Sequence, residues 1–409
     1  MKLCILSTGY LRWKGDVDSA KNYLEQLANN LADKGLEVHV IAPHAKGLKH
    51  AEKIDNVNVH RFQYMFPPSY QTLAYFPGIP EKMKKISGKI QIPFFGLSMT
   101  YKLLQVCRKH DIDIIFAHWA IPPGFIAALT KYIHKRPIVI GLYGAELFPF
   151  VNNQKTFASL CKIQIGYAIR NSDLVIGISK STCNAGKTIS RRMDIETIPY
   201  GVDIQKFNPT CNPDSIKQCY GLESKTILFS TGRMVERKGF KFLVDALPLV
   251  LETDPNTILI LGGDGPEKER LKKQVADLNL EEKVIFPGFI PDEEFPNFLT
   301  ASDVFILPSI VDRHGDTEGL GLVLVEAMAC GTPVIGTNVG GITDIITHGY
   351  NGFLVPEKSS KDLAERIVEI LSNPDLASYL NTNGLSTVQN EFSWESVCKK
   401  YLALFNRVS

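Results

Sequence analysis

Arg233 and Lys238 stand in GRMVERKG, directly after the strand-like run TILFST and at the start of a helical segment. Residues in that place face the carboxyl ends of parallel strands, where open α/β sheets bind their ligands. Arginine offers a planar fork to phosphate oxygens and lysine a compact charge. The alternative is an ordinary basic loop making surface pairs. Further along, Glu318 and Glu326 lie eight positions apart in EGLGLVLVE, on either side of a glycine-rich strand-to-helix turn. The turn Gly319-Leu320-Gly321 opens the helix that carries Glu326, so backbone N–H groups and the positive end of a helix dipole are available to a phosphate. With that much positive potential a metal ion is unnecessary, and the scattered cysteines show no CxxC pair or close Cys/His grouping.

Other candidates are smaller signals. ILGGDGPE contains Gly263 in a glycine loop, but the GxGxxG spacing is incomplete and a proline follows, so close backbone approach is the better reading than a dinucleotide site. VGGITDII places Gly340 and Gly341 before a helix in the same manner. In the first half, His118 ends the strand DIIFAHW, where its side chain would point into a crevice; a lone histidine there is equally a satisfied, half-buried residue. In GYLRWKGDVDSA, Gly15 permits close backbone approach and Asp16 could bind hydroxyls, or Asp16, Asp18 and Ser19 compete to cap the next helix. Tyr143 and Glu146 in GLYGAELF occupy another loop after a strand, and Glu146 is either a substrate contact or an ordinary loop carboxylate.

Positioning these residues requires two α/β domains. In the first half LCILST, EVHVIAP, VNVHRF, DIIFAHW, PIVIGLYG, DLVIGIS and ETIPYG read as strands, with a clear helix at SAKNYLEQLANNLADKG closed by Gly35. After the Pro- and Asn-rich YGVDIQKFNPTCNPD the alternation restarts with TILFSTG, NTILILGG, KVIFPGF, DVFILP, PVIGT and GFLVP. The sequence thus predicts a doubly wound, Rossmann-like domain over 1–200, a second over 201–392, a ligand cleft that both face, and a terminal helix over 393–409 packing back on the first. In that helix Trp394, Val397, Tyr401 and Leu404 fall on one face.

The paired glutamates, the small-residue helix after them and the TPVIG strand resemble the signature of the retaining family 4 glycosyltransferases of GT-B fold. The resemblance runs over essentially the whole chain, through GLYGAELF, DLVIGISK, IPYGVDIQKF, STGRMVERKG, ILGGDGPEKERL, VIFPGFIP, SDVFILPS, VGGI and NGFLVP. It implies transfer of a hexose or related sugar from a nucleotide-diphosphate sugar to a glycan or lipid-linked acceptor, with retention and without a cofactor. The diphosphate gains negative charge as the sugar bond breaks, and the matching Arg233 and Lys238 would stabilise it. By the same resemblance Glu318 would hold donor-sugar hydroxyls, Glu326 would accept from the nucleotide ribose, Gly263 and Gly341 would lie near the donor, and His118 would orient the transferred sugar. The chain departs from the family where Gly15-Asp16 replaces a paired-glycine turn and where Tyr143 replaces a histidine. A nucleotide-sugar epimerase of similar architecture and a silent nucleotide- or glycan-binding protein stay open as alternatives; the absence of a glycine fingerprint after the first strand argues against a dehydrogenase.

Composition sets limits on partners. Among 409 residues, 45 Lys and Arg against 43 Asp and Glu give a formal charge of +2, which excludes the uniform basic excess of a general nucleic-acid binder. MKLCILSTGY is only briefly apolar and reads as a first strand, and no apolar run approaches the roughly 20 residues of a spanning helix. The expected setting is cytoplasmic, with reduced thiols. One segment is unusual: PEKMKKISGKIQIPFF combines Lys82, Lys84, Lys85 and Lys89 with Met83, Ile86, Ile90, Phe94 and Phe95. It reads either as a surface for an anionic membrane or lipid-linked acceptor, or as a solvated loop over the core.

Overall fold

The computed structural model describes residues 1–13, 23–75, 79–83, 85–151 and 156–409, so Gly15, Asp16, Asp18, Ser19 and Lys84 lie outside the described residues. The chain divides into two compact units, Met1–Pro199 with Val397–Ser409, and Tyr200–Ser396.

The first unit is built on strands β1 (Lys2–Leu6), β2 (Glu37–Pro43), β3 (Ala51–Ile54), β4 (Val57–Phe62), β5 (Ile114–His118), β6 (Ile138–Leu142), β7 (Leu174–Gly177) and β8 (Glu196–Thr197), in the order β3-β4-β2-β1-β5-β6-β7-β8. All neighbours pair in parallel except β3, which runs antiparallel to β4. β5 and β6 are buried at every position, as befits central strands covered on both faces, and this is why they read as continuous apolar runs. The β3 segment, AEKI, buries only Ile54, so it carried no strand signal in the sequence. Helix α1 (Tyr23–Asp33) buries Leu24, Leu27, Ala28 and Leu31 on one face. Helix α2 (Ile86–His110) takes in the second part of the unusual basic and apolar segment, from Ile86 to Phe95, which is therefore helix and not loop, while Lys82 ends a separate helical turn, Ile79–Lys82, and Lys85 precedes α2. Phe95, grouped above with the apolar residues of that candidate surface, points into the core beside Phe62 and Tyr64, at ring distances of 5.0 and 5.1 Å.

The second unit holds β9 (Thr226–Thr231), β10 (Thr257–Gly262), β11 (Val284–Gly288), β12 (Val304–Leu307), β13 (Val334–Thr337) and β14 (Phe353–Val355), all parallel, in the order β11-β10-β9-β12-β13-β14. Helix α3 (Phe240–Thr253) lays Leu243, Val244, Leu247 and Val250 into its core, and α4 (Leu322–Ala329) follows the loop after β12. The last helix, α5 (Trp394–Phe405), buries Trp394, Val397, Cys398, Tyr401 and Phe405, with Phe405 on the inner face in place of the expected Leu404. Tyr401 and Phe405 pack on Phe116 of β5, with ring centroids 5.8 and 5.9 Å away, and so brace the strand that ends in His118.

Candidate functional site

Loops after neighbouring strands part where the strand order of an open sheet reverses. That place lies between β1 and β5 in the first sheet and between β9 and β12 in the second. The described candidates gather on the loops after these strands and the strands beside them, and each unit forms its own constellation.

In the first unit His118 pairs in register with Gly141 of β6. Tyr143 folds back over that glycine: a Cβ at position 141 would stand 2.5 Å from the tyrosine hydroxyl. The Tyr143 ring reaches His118 with centroids 4.1 Å apart and Trp119 at 5.4 Å. Trp119 itself has φ 95°, a left-handed conformation that is costly for an aromatic residue and that tends to persist where function demands it. His118 is buried, and neither ring nitrogen has a hydrogen-bond partner among the described residues. Burial pushes its pKa down to about 3, so the ring is neutral and offers one donor and one acceptor, both unused. Glu146 Oε1 accepts from the Tyr143 N–H at 2.9 Å. Burial outweighs its backbone donors and pushes this carboxyl up to about 7, where it can hold or release a proton near neutral pH.

In the second unit Lys238 ends the short turn Glu236–Lys238 after β9. Its Nζ donates to Glu318 Oε2 at 2.6 Å, and both side chains are nearly nine-tenths buried. Ser309, two residues beyond β12, donates to the same oxygen at 3.3 Å, and Arg237 stands 3.6 Å from it and 3.5 Å from Asp316. Burial alone would raise the Glu318 pKa; Lys238 and then Arg237 overcome it and hold the carboxylate below its ordinary range. These contacts all fall on Oε2, which leaves Oε1 for another donor. Arg233 is exposed, and its side chain makes no ion pair or hydrogen bond among the described residues. The sequence treated Arg233 and Lys238 as an equivalent pair; the structure separates a compensated lysine from an open guanidinium.

The glycines have structural neighbours of their own. A Cβ at Gly263, where φ is +110°, would lie 2.1 Å from the Gly232 carbonyl oxygen, so this residue lets the loop after β10 pass the loop that carries Arg233. A Cβ at Gly341 would lie 2.2 Å from the Gly319 carbonyl oxygen, and the Gly341 N–H donates to the Glu318 carbonyl at 2.9 Å. Gly341 thereby fixes the turn Gly319-Leu320-Gly321, whose Leu320 is buried and whose Gly321 precedes α4 without a side-chain cap. Glu326 lies within α4, only 3 % exposed. Sequence reasoning missed Arg237, Ser309 and Trp119. Arg237 was visible inside GRMVERKG and Ser309 at the end of SDVFILPS, but neither motif gave its residue a role, and Ser309 joins the site because β12 lies beside β9.

The family described as "Glycosyl transferases group 1" matches residues 214–387, and "Glycosyltransferase Family 4" matches residues 20–206. The chain is 27% identical to the N-acetyl-alpha-D-glucosaminyl L-malate synthase of Bacillus anthracis over 93% of its own length and 91% of that protein. It is also 27% identical to a GDP-mannose-dependent alpha-(1-6)-phosphatidylinositol monomannoside mannosyltransferase of Mycolicibacterium smegmatis, over 92% and 91%. An uncharacterised glycosyltransferase of Methanocaldococcus jannaschii shares 30% identity over 74% of this chain and 78% of that one. Among solved structures, HepE of Anabaena in complex with UDP superposes with a TM-score of 0.75 over 100% of both chains, at 23% identity.

Proposed function

Because this chain belongs to family 4 of the glycosyltransferases and has the GT-B fold, we propose that it moves a hexose or related sugar from a nucleotide-diphosphate donor to a glycan or lipid-linked acceptor, with retention and without a metal ion. The donor belongs to the second unit, over 201–392, and the acceptor to the first, over 1–200 with the helix 393–409. The observation that carries this reading is the arrangement after β9 and β12: Lys238 on Glu318, with Arg233 exposed and without a partner among the described residues.

The chemistry follows from those charges. As the bond from the anomeric carbon to the diphosphate breaks, negative charge grows on the β-phosphate, and Arg233, Lys238 and the N–H groups at Gly319-Leu320-Gly321 stabilise it. Glu318 Oε1 accepts from sugar hydroxyls while Oε2 stays with Lys238. Glu326 accepts from the ribose, and Gly263 and Gly341 keep the loops beside the donor in place. The acceptor hydroxyl attacks on the face from which the diphosphate leaves, its proton passing to a phosphate oxygen. Neutral His118 orients the transferred sugar, Gly15 lets the backbone approach the donor, and Asp16, Tyr143 and Glu146 line the way to the acceptor. Two relatives' names mention an N-acetylglucosaminyl group and GDP-mannose, and the HepE complex holds UDP, which supports the donor class while leaving base and sugar to experiment.

Calorimetric titration with UDP, GDP and ADP in the presence of EDTA tests this directly. One nucleotide binds without added metal. Arg233→Ala weakens it at least about tenfold, roughly the 1.5–3 kcal/mol of a charged hydrogen bond, while the melting temperature of the free protein stays put. Glu326→Ala weakens the same nucleotide. Absence of binding by all three, or binding only with added magnesium, overturns the reading.

A further inference from the structure

α2 carries apolar residues on two opposite faces. Gln91, Phe95, Met99, Leu103 and Val106 are buried and form the core face. Ile86, Ile90, Phe94, Leu97 and Tyr101 are 50 to 76 % exposed. At about 100° per residue these five fall within an arc of about 80°, opposite the core face. A helix apolar on both sides is ordinarily buried on both sides, and here the second side faces solvent. The helical turns Phe125–Leu129 and Lys131–His134, which pack against α2, add exposed Leu129, Tyr132 and Ile133.

Charge identifies what would cover this face. From Lys82 to His110 the sequence contains lysine and arginine but no aspartate or glutamate. Lys85, Lys89, Lys102, Arg108 and Lys109 form no ion pair with a carboxylate among the described residues. Depressions flank Tyr101, one walled by Lys102 and the other by Arg108 and Lys109, so cations stand beside the apolar stripe where headgroup phosphates would lie if the stripe entered a bilayer. A second copy of the chain would set the same cations against themselves across a two-fold interface. No described helix is long and apolar enough to cross a membrane.

We propose that α2 is a membrane-docking surface: the helix lies in the plane of an anionic phospholipid surface, with Ile90, Phe94, Leu97 and Tyr101 at the acyl boundary and the flanking Lys and Arg on the headgroups. This stands apart from the identity of the donor, because the stripe contributes none of the residues assigned to transfer.

Co-sedimentation of the full chain with vesicles tests it, using phosphatidylglycerol in phosphatidylcholine against phosphatidylcholine alone. At low salt the protein binds the anionic vesicles at least tenfold more tightly, and high salt removes most of that preference. Leu97→Glu lowers binding at least tenfold with an unchanged melting temperature, and Leu97→Phe retains it. Nucleotide titration of Leu97→Glu matches the wild type, which separates failure of docking from failure of the donor site. No binding to anionic vesicles at low salt, equal binding to both vesicles, or unaltered binding by Leu97→Glu overturns the proposal. So does a dimer that Leu97→Glu dissolves while vesicles remain unbound.

Discussion

The two constellations meet the cost of burying polar groups in different ways. In the first unit burial keeps the groups neutral: His118 stays deprotonated and Glu146 holds its proton to about pH 7. In the second unit burial is offset by opposite charge: Glu318 stays ionised because Lys238 and Arg237 surround the same oxygen. Neutral donors and acceptors in a dry site suit hydroxyl groups, which carry no net charge through most of a reaction. Fixed charges held by one another suit a phosphate, whose charge changes. The difference also separates what a mutation breaks, since removing the His118 ring strands no partner among the described residues, whereas removing one member of an ion pair leaves a buried charge.

The largest expected effect is therefore at Lys238. Lys238→Ala strands the Glu318 carboxylate with only Arg237 at 3.6 Å and the Ser309 hydroxyl. Stability falls by about 3 kcal/mol, the low end for breaking a buried pair, because Arg237 offsets part of the loss. Turnover falls about 100- to 1000-fold through loss of charge at the departing phosphate. Adding Glu318→Gln restores the denaturant midpoint but not kcat. If Lys238→Ala unfolds at the wild-type midpoint, opposite charge is not what keeps Glu318 ionised.

His118→Leu sharpens the other side. Both imidazole nitrogens are buried without partners among the described residues, so an apolar replacement relieves an unmet demand and the melting temperature holds or rises. Turnover nevertheless drops on the order of 100-fold, as for loss of one oriented hydrogen-bonding group in a water-poor site. Loss of stability with full activity would make His118 a core residue and nothing more.

What could be read without coordinates follows the same division. The inner strands β9, β10, β12 and β13 of the second unit were legible because parallel strands buried on both faces are continuous apolar runs, and the edge strands β11 and β14 still read as the short apolar runs VIF and FLV. β3 was not, since AEKI has two charged residues among its four and no apolar run. α2 was hidden by Gly88, Pro93 and Gly96, and by apolar residues on both its faces, which blur the helical period. Lys238, Glu318 and the Gly319-Leu320-Gly321 turn were visible as motifs. That Glu318 would hold Lys238 and leave Arg233 open was not, because the pair spans 80 positions of sequence and depends on β9 lying beside β12. The environment of His118 was equally out of reach: a strand-end histidine looks the same in sequence whether or not its nitrogens find partners.

The smallest effect is in the pH dependence of stability, where the neutral site opposes itself. Glu146 has its folded pKa raised to about 7, so its contribution is fully present below the ordinary carboxylate range and is lost as pH rises through 7. For His118, lowered to about 3, the contribution is present above the ordinary imidazole value and is lost as pH falls toward 3. From about pH 4.5 to 6.5 the two slopes run against each other, and from there to pH 7 only Glu146 acts. Glu146→Gln keeps an oxygen for the Tyr143 N–H but removes the titration. Its stability relative to wild type therefore improves between pH 5 and pH 8, by on the order of 3 kcal/mol at most, whatever the constant cost of the amide. Denaturant melts of both proteins at those two pH values measure this difference. Parallel wild-type and mutant curves would mean that Glu146 is ionised in the folded state and that the two sites share one electrostatic plan.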